Sequence, residues 1–219
     1  PLLVGGTMLY YKALQQGLDN LPPAKKEIRL AIEAEAMAWG WDKMHQKLKE
    51  IDPDAALKIH SNDKQRISRA LEVYRITGKP ISNFWLNKKP QDRENFRYIN
   101  IGLIPDNRTK LHKQIEVRFK QMLADGFIDE VKSLKDRGAT ADMPAMRSVG
   151  YRQVYGYLAG DYDYDTMVAK ALAGTRQLAK RQLTWLRHWP GLESFNSQEP
   201  NLLQQVLSSL HDKALRVRV

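Results

Sequence analysis

Apolar and polar positions change their period along the chain, and the changes predict where one kind of element gives way to another. Leu2, Leu3 and Val4 form a short apolar run closed by Gly5-Gly6, and residues 8–14 then have helical composition, so the opening predicts a buried strand, a tight turn and a helix. Leu21-Pro22-Pro23-Ala24 is a linker by composition, and from about Lys25 to Trp85 the period is helical. Asp52-Pro53 and Ser61-Asn62-Asp63 interrupt that region and restart it, since Pro fits a first turn and Asn, Asp or Ser can cap exposed amides. Three or four helices with no strand between them predict a helical insertion. Lys88-Lys89-Pro90-Gln91-Asp92 is a polar linker, and residues 96–104, rich in aromatic and β-branched types, predict a return to strand. Asp106-Asn107 should cap a helix over 108–124 that ends at Asp125-Gly126. A helix over 127–134, a loop at 138–144, a restart near Gly150 and a long helix over 164–188 follow, stopped by Trp189-Pro190-Gly191. The stretch from Glu193 predicts only a terminal helix.

Together these elements predict an α/β fold that is predominantly helical here and whose parallel sheet is incomplete. Residues 1–22 would be part of the α/β core, 23–92 the insertion, and 93–219 the return strand with the C-terminal helices. A parallel strand cannot stand alone, so the opening run predicts further sequence upstream of Pro1.

Composition sharpens the picture. Of 219 residues 42% are hydrophobic, with five Trp, nine Tyr and five Phe, which suffices for a core and a smaller satellite unit. Lys and Arg number 35 against 25 Asp and Glu, and a formal charge of +10 makes nucleic acid the leading candidate partner. The absence of Cys excludes disulfides and thiolate metal sites and fits a reducing cytoplasm. No apolar run approaches the roughly 18 residues of a membrane span, and no signal peptide opens the chain, so a soluble protein is expected.

Several residues break the local pattern. Leu111, Ile115, Arg118 and Met122 form one ridge of the helix over 108–124, which puts an arginine in an apolar stripe. It should snorkel to the surface, pair with an acid such as Glu116, or meet a bound anion. On the long helix Met167, Ala171, Gly174, Leu178 and Trp185 share a core face, while Arg176, Lys180 and Arg187 form a basic stripe that is either solvated surface or a phosphate track. Gln65 and Arg69 stack at i and i+4 with Arg66 beside them. Arg147-Ser148-Val149-Gly150-Tyr151-Arg152 sets an aromatic between cations, as unpaired nucleotides require, although a core Tyr with surface arginines reads the same way. Gly5-Gly6-Thr7 before a helix can receive an anion, a weak signal alone. The P-loop spacing is absent: Gly78-Lys79 lacks its earlier glycine, position 73 being Val73. The five histidines show no zinc spacing.

Taken in order, Leu3-Val4-Gly5-Gly6-Thr7-Met8-Leu9-Tyr10, Asp52-Pro53 through Ile59, Asn62-Asp63 to Arg66 and Arg69-Ala70-Leu71-Glu72-Val73 resemble successive signatures of the tRNA dimethylallyltransferase (isopentenyltransferase) family. Arg118 in IEVRFKQML, Gly126-Phe127 with Glu130-Val131, Val149 to Arg152, Thr175-Arg176, Ala179 to Gln182 and Thr184 to Arg187 continue the resemblance almost to Trp189. It implies a P-loop-type core with an all-helical insertion. It also implies transfer of a dimethylallyl group from dimethylallyl diphosphate to N6 of the adenine 3′ of the anticodon (position 37), releasing diphosphate. The implied partners are the tRNA anticodon stem-loop and dimethylallyl diphosphate, with Mg²⁺ as cofactor, in a cytoplasmic monomer. The family's P-loop and general-base Asp have no match here, so this stretch alone is expected to be inactive and to hold none of the metal ligands.

Residue by residue, Arg118 matches the arginine that contacts the diphosphate, and Thr7 a position at the mouth of the reaction channel that touches the target nucleotide. Three segments match those that grip the anticodon stem-loop: Gln65, Arg66, Ile67, Ser68 and Arg69; Arg147, Ser148, Val149, Gly150, Tyr151 and Arg152; and Lys180, Arg181, Gln182, Leu183, Thr184, Trp185, Leu186 and Arg187. Arg29 matches one more tRNA contact in the insertion. The competing readings are a P-loop nucleotide kinase, which has no need of dispersed basic clusters, and a non-catalytic RNA-binding module, which has none for Arg118.

Overall fold

A computed structural model describes residues 1–85 and 96–215, so the linker expected at 88–92 and the boundary after residue 92 lie outside the described residues. The chain divides into two compact units, residues 9–97 and residues 1–8 with 98–219. Leu21 packs against the core of the first unit, so the stretch before Pro22 groups with the helices that follow and not with the opening segment.

The first unit is helical: α1 (Met8–Gln16, from Leu9 onward), α2 (Lys26–Trp39), α3 (Trp41–Ile51), α4 (Pro53–Lys58), α5 (Lys64–Thr77) and α6 (Ser82–Trp85). Five helices, α2 to α6, occupy the region where three or four were expected, because α4 and α6 are too short to show a helical period. Ile32 and Ala36 of α2, Met44 and Leu48 of α3, Ala55 of α4 and Ile67, Leu71 and Val73 of α5 make its core. The breaks read from sequence are real. Asp52 caps α4 by accepting from Ala55 N at 2.9 Å, with Pro53 in the first turn, and Asp63 caps α5 by accepting from Arg66 N at 3.2 Å.

The second unit is mostly helical with a small parallel sheet. β1 (Asn100–Ile104) pairs with β2 (Leu192–Asn196), Asn100 opposite Leu192 and Ile104 opposite Asn196. β1 is the later part of the strand expected over 96–104. β2 was not expected, because Glu193, Ser194 and Asn196 carry little strand propensity and the pairing comes from the partner strand. The helices are α7 (Arg108–Ala124), α8 (Phe127–Asp136), α9 (Tyr151–Leu158), α10 (Tyr164–Arg187) and α11 (Leu202–Leu215). Phe119, Phe127, Val131, Val154, Met167 and Ala171 form the core, with Phe127 edge-on to Phe119 at 6.4 Å.

The opening run corrects the expectation of a buried strand. Leu2 and Val4 are each 85% exposed and residues 1–7 are not in a strand. Among the described residues the only sheet is β1–β2, so no ladder engages their backbone groups. No helix among the described residues is long and apolar enough to cross a membrane.

Candidate nucleic-acid interface

In the helical unit the candidate residues lie on α2 and α5, and their environments differ sharply. Gln65 and Arg66 are exposed at the start of α5, Arg66 within 3.4 Å of Asp63. Ile67 is fully buried in the core, which corrects its assignment to an RNA contact: it has no exposed surface, since its face of α5 is the one packed into the helical core. Ser68 is half-buried. Arg69 donates from one terminal nitrogen to Glu72 at 2.6 Å and from the other to the Pro22 carbonyl at 2.6 Å, so each already has an internal acceptor. Arg29 donates from Nε to Glu72 at 3.0 Å, and the Lys25 backbone N–H reaches the same carboxylate at 2.8 Å.

Glu72 is therefore the residue that pattern-reading missed. It is fully buried, yet it sits on a helix whose polar spacing gives no sign of a buried charge. Burial alone would raise its pKa; the hydrogen bonds from Arg69, Lys25 and Arg29 outweigh that and hold it below the ordinary glutamate range. The one sequence signal at this position is the family resemblance, which spans Arg69-Ala70-Leu71-Glu72-Val73 but implies no role for Glu72.

In the second unit Arg118 does not sit in an apolar seam. It is exposed and makes no side-chain hydrogen bond or ion pair among the described residues. The buried face of α7 is centred on Phe119, with Met122 and Leu123 packed against the same core. At ~100° per residue Arg118 lies about 100° from Phe119, on the flank, so the ridge that seemed to enclose it is a boundary and not a core stripe. Glu116, the acid considered as its partner, is engaged by Lys120 at 2.7 Å.

The long helix α10 is likewise only half as expected. Met167 and Ala171 are fully buried, but Leu178 is 38% and Trp185 40% exposed. α10 has 24 residues against eight in α9, and its fully buried residues, Met167 and Ala171, both lie in its first half. In its second half Lys180, Arg181 and Arg187 are exposed and have no ion-pair partner among the described residues. Gln182 is committed instead: its amide donates to the Gly6 carbonyl at 3.0 Å, and a Cβ at Gly6 would lie 2.3 Å from that nitrogen. Thr184 donates to the Lys180 carbonyl at 2.9 Å, Leu183 and Leu186 are half-buried, and the Trp185 ring lies 6.4 Å from Trp189. Arg176, read as the start of the basic stripe, is half-buried, and its Nε is buried without a hydrogen-bond partner. Thr7 is exposed just before α1.

Residues 147–152 divide in the same way. Arg147, Ser148 and Arg152 are exposed; the Ser148 hydroxyl donates to the Ala145 carbonyl. Val149 and Gly150 are structural. Gly150 has φ of +98°, its N–H is held by Gln153 Oε1 at 2.8 Å, and a Cβ there would lie 3.3 Å from the Phe127 ring. Tyr151 packs edge-on against Phe127 at 5.0 Å and donates its hydroxyl to Glu130, which raises its pKa. Its ring is part of the core edge and is not a free stacking platform. Beside it, a cavity of about 460 Å³ between α9 and α10 is lined by Arg152, Tyr162, Lys170 and Gln177 among others, with the Lys170 ammonium 4.1 Å from the Tyr162 ring centre.

A protein-family model described as IPP transferase matches residues 1–189. This chain belongs to the IPP transferase family. It is 52% identical over 211 residues to a tRNA dimethylallyltransferase of Coxiella burnetii, a match covering 96% of this chain and 70% of that protein. To the tRNA dimethylallyltransferase of Legionella pneumophila strain Corby it is 47% identical over 213 residues, 97% of this chain and 67% of the other. Among solved structures, the full-length tRNA isopentenylpyrophosphate transferase of Bacillus halodurans superposes with a TM-score of 0.59 at 29% identity, covering 96% of this chain and 64% of that one. The chain thus spans less than two thirds of that solved IPP transferase. Neither a nucleotide kinase nor a non-catalytic RNA-binding module is favoured by these relatives.

Proposed function

We propose that the protein carrying this chain transfers a dimethylallyl group from dimethylallyl diphosphate to N6 of the adenine 3′ of the anticodon in a tRNA. The observation that carries the reading is the match of residues 1–189 to the IPP transferase family. A formal charge of +10, with Lys180, Arg181 and Arg187 exposed on one helix and unpaired among the described residues, supports a polyanionic partner.

In this reading the N6 lone pair attacks the allylic carbon, the carbon–oxygen bond to diphosphate breaks, and N6 loses a proton to a base. Catalysis then consists of bringing a flipped loop base to the donor and stabilising charge on the leaving diphosphate. Arg118, exposed and without a partner among the described residues, is available to the diphosphate, and Thr7, also exposed, to the target nucleotide. The anticodon stem-loop lies along Arg147, Arg152 and the basic end of α10. The core is of P-loop type, and the enzyme works as a cytoplasmic monomer. Mg²⁺ would neutralise diphosphate charge when bound. Among the described residues no three His, Asp or Glu side chains gather, and every step is carried by the chain's own residues.

The test is incubation of the full-length protein with dimethylallyl diphosphate and unmodified tRNA carrying that adenine, read by nucleoside mass analysis. A dimethylallyl-adenosine product and released diphosphate are expected; tRNA binding without product would refute the activity. In the same assay Arg118→Ala should lower kcat by roughly a hundredfold or more and leave tRNA Kd nearly unchanged. A loss confined to tRNA binding would remove Arg118 from the diphosphate site.

A further inference from the structure

We infer that Glu72 is a positioning residue for RNA binding by the helical unit, its buried carboxylate holding Arg29 by Nε alone so that both terminal nitrogens of Arg29 are presented to an RNA phosphate. The inference rests on the reading that the protein binds tRNA.

A carboxylate with no exposed side-chain surface is tolerated only when donors replace the water it has lost. Glu72 has three: Lys25 N at 2.8 Å, Arg29 Nε at 3.0 Å and Arg69 at 2.6 Å. An apolar residue would fill the same place at no desolvation cost, so the carboxylate calls for a role beyond packing. The two arginines are used differently. Arg69 spends its terminal nitrogens on Glu72 and on the Pro22 carbonyl, and thereby clasps the Pro22–Lys25 linker onto α5. Arg29 gives only Nε; its side chain is 49% exposed, and its terminal nitrogens have no partner among the described residues. Those nitrogens form one edge of a planar fork that matches a phosphate, and anchoring Nε removes rotamer freedom that binding would otherwise have to remove. Arg29 thus stays an RNA contact, and Arg69 becomes part of the mount.

In the full-length protein Glu72→Gln keeps the side-chain shape and removes the charge. Kd for unmodified tRNA should rise roughly three- to tenfold, while KM for dimethylallyl diphosphate should not change. In an Arg29→Gln background the second substitution should add almost nothing, because the group it positions is gone. A purely structural Glu72 would move Tm without this non-additivity. A folded Glu72→Gln protein with parental Kd, or a penalty that adds in full to that of Arg29→Gln, overturns the inference. If Arg29→Gln alone leaves Kd unchanged, the RNA role of Arg29 fails and the inference falls with it. If the parent protein does not retain tRNA at all, the underlying reading has failed first. Should Glu72→Gln not fold, Glu72→Asp, too short to reach all three donors, is judged by the same outcomes.

Discussion

Ile67 has no exposed surface and lies in the core shared by α2, α3, α4 and α5, although Arg66 precedes it and Arg69 lies two residues on. Truncating it should cost about 2–5 kcal/mol by lost burial and cavity formation. Ile67→Ala is therefore expected to lower the denaturation midpoint strongly while leaving tRNA affinity, measured at a temperature where the variant is fully folded, close to parental. Weakened RNA binding by folded protein would return Ile67 to the interface. Glu72 makes a second prediction at this scale. Its folded-state pKa lies below its unfolded value, so its contribution to stability is complete above the unfolded value of ~4.3 and disappears as pH falls through the folded value. Glu72→Gln should flatten the acid limb of the stability–pH curve there, and an acid limb that superimposes on the parent's would contradict the pairing. A helical period marks which residues share a face, but it says nothing of how wide the buried sector is. That is why Ile67 was legible as apolar yet assigned to RNA, and why Arg118, on the flank of Phe119, was read as enclosed.

Elements were legible where their ends carry local chemistry. Asn107, Asp52, Asp63 and Asp163 each cap a helix with a side-chain oxygen, and three of these four starts were readable from the residue and its spacing. The second strand was not legible in the same way. β2 takes its identity from β1 across the ladder, with Gly102 so close to Leu192 that a Cβ would lie 2.8 Å from that side chain, and long-range pairing leaves no mark in a local window. Asp52 goes further than a cap. It is 1% exposed, and its second oxygen accepts from Ser82 N at 2.9 Å, which ties the start of α4 to the start of α6. Asp52→Ala would leave the buried Ser82 N–H without its acceptor as well as removing the cap, for a cost of about 2–4 kcal/mol. Asp52→Asn, which keeps a single acceptor oxygen, should recover part of that. Equal loss in the two variants, measured by urea denaturation, would show that the charge and not the geometry matters.

At the scale of the whole molecule the excess of cations is not spread evenly between paired and free groups. In the helical unit Arg69, Arg75 and Lys47 are tied to Glu72 and Glu35, so much of the formal charge there is internally compensated, Arg29 keeping its terminal nitrogens free of any partner among the described residues. At the end of α10 Lys180, Arg181 and Arg187 are exposed and uncompensated among the described residues, and free charge is what releases counterions from RNA. The two groups should therefore respond differently to salt. Replacing both Lys180 and Arg181 with Gln in the full-length protein should weaken tRNA binding at low ionic strength and reduce the magnitude of the slope of log K against log [salt] by about 1–2, so that the variant and parent curves converge as salt rises. Replacing Lys47, which faces Glu35 at 3.1 Å, should leave that slope where it was, since the phosphate would gain no neutralising charge from a lysine already paired. An unchanged slope in the Lys180 and Arg181 variant would take α10 out of the RNA path. A slope lowered equally by Lys47 would mean that binding senses net charge alone, with no track laid along any one helix.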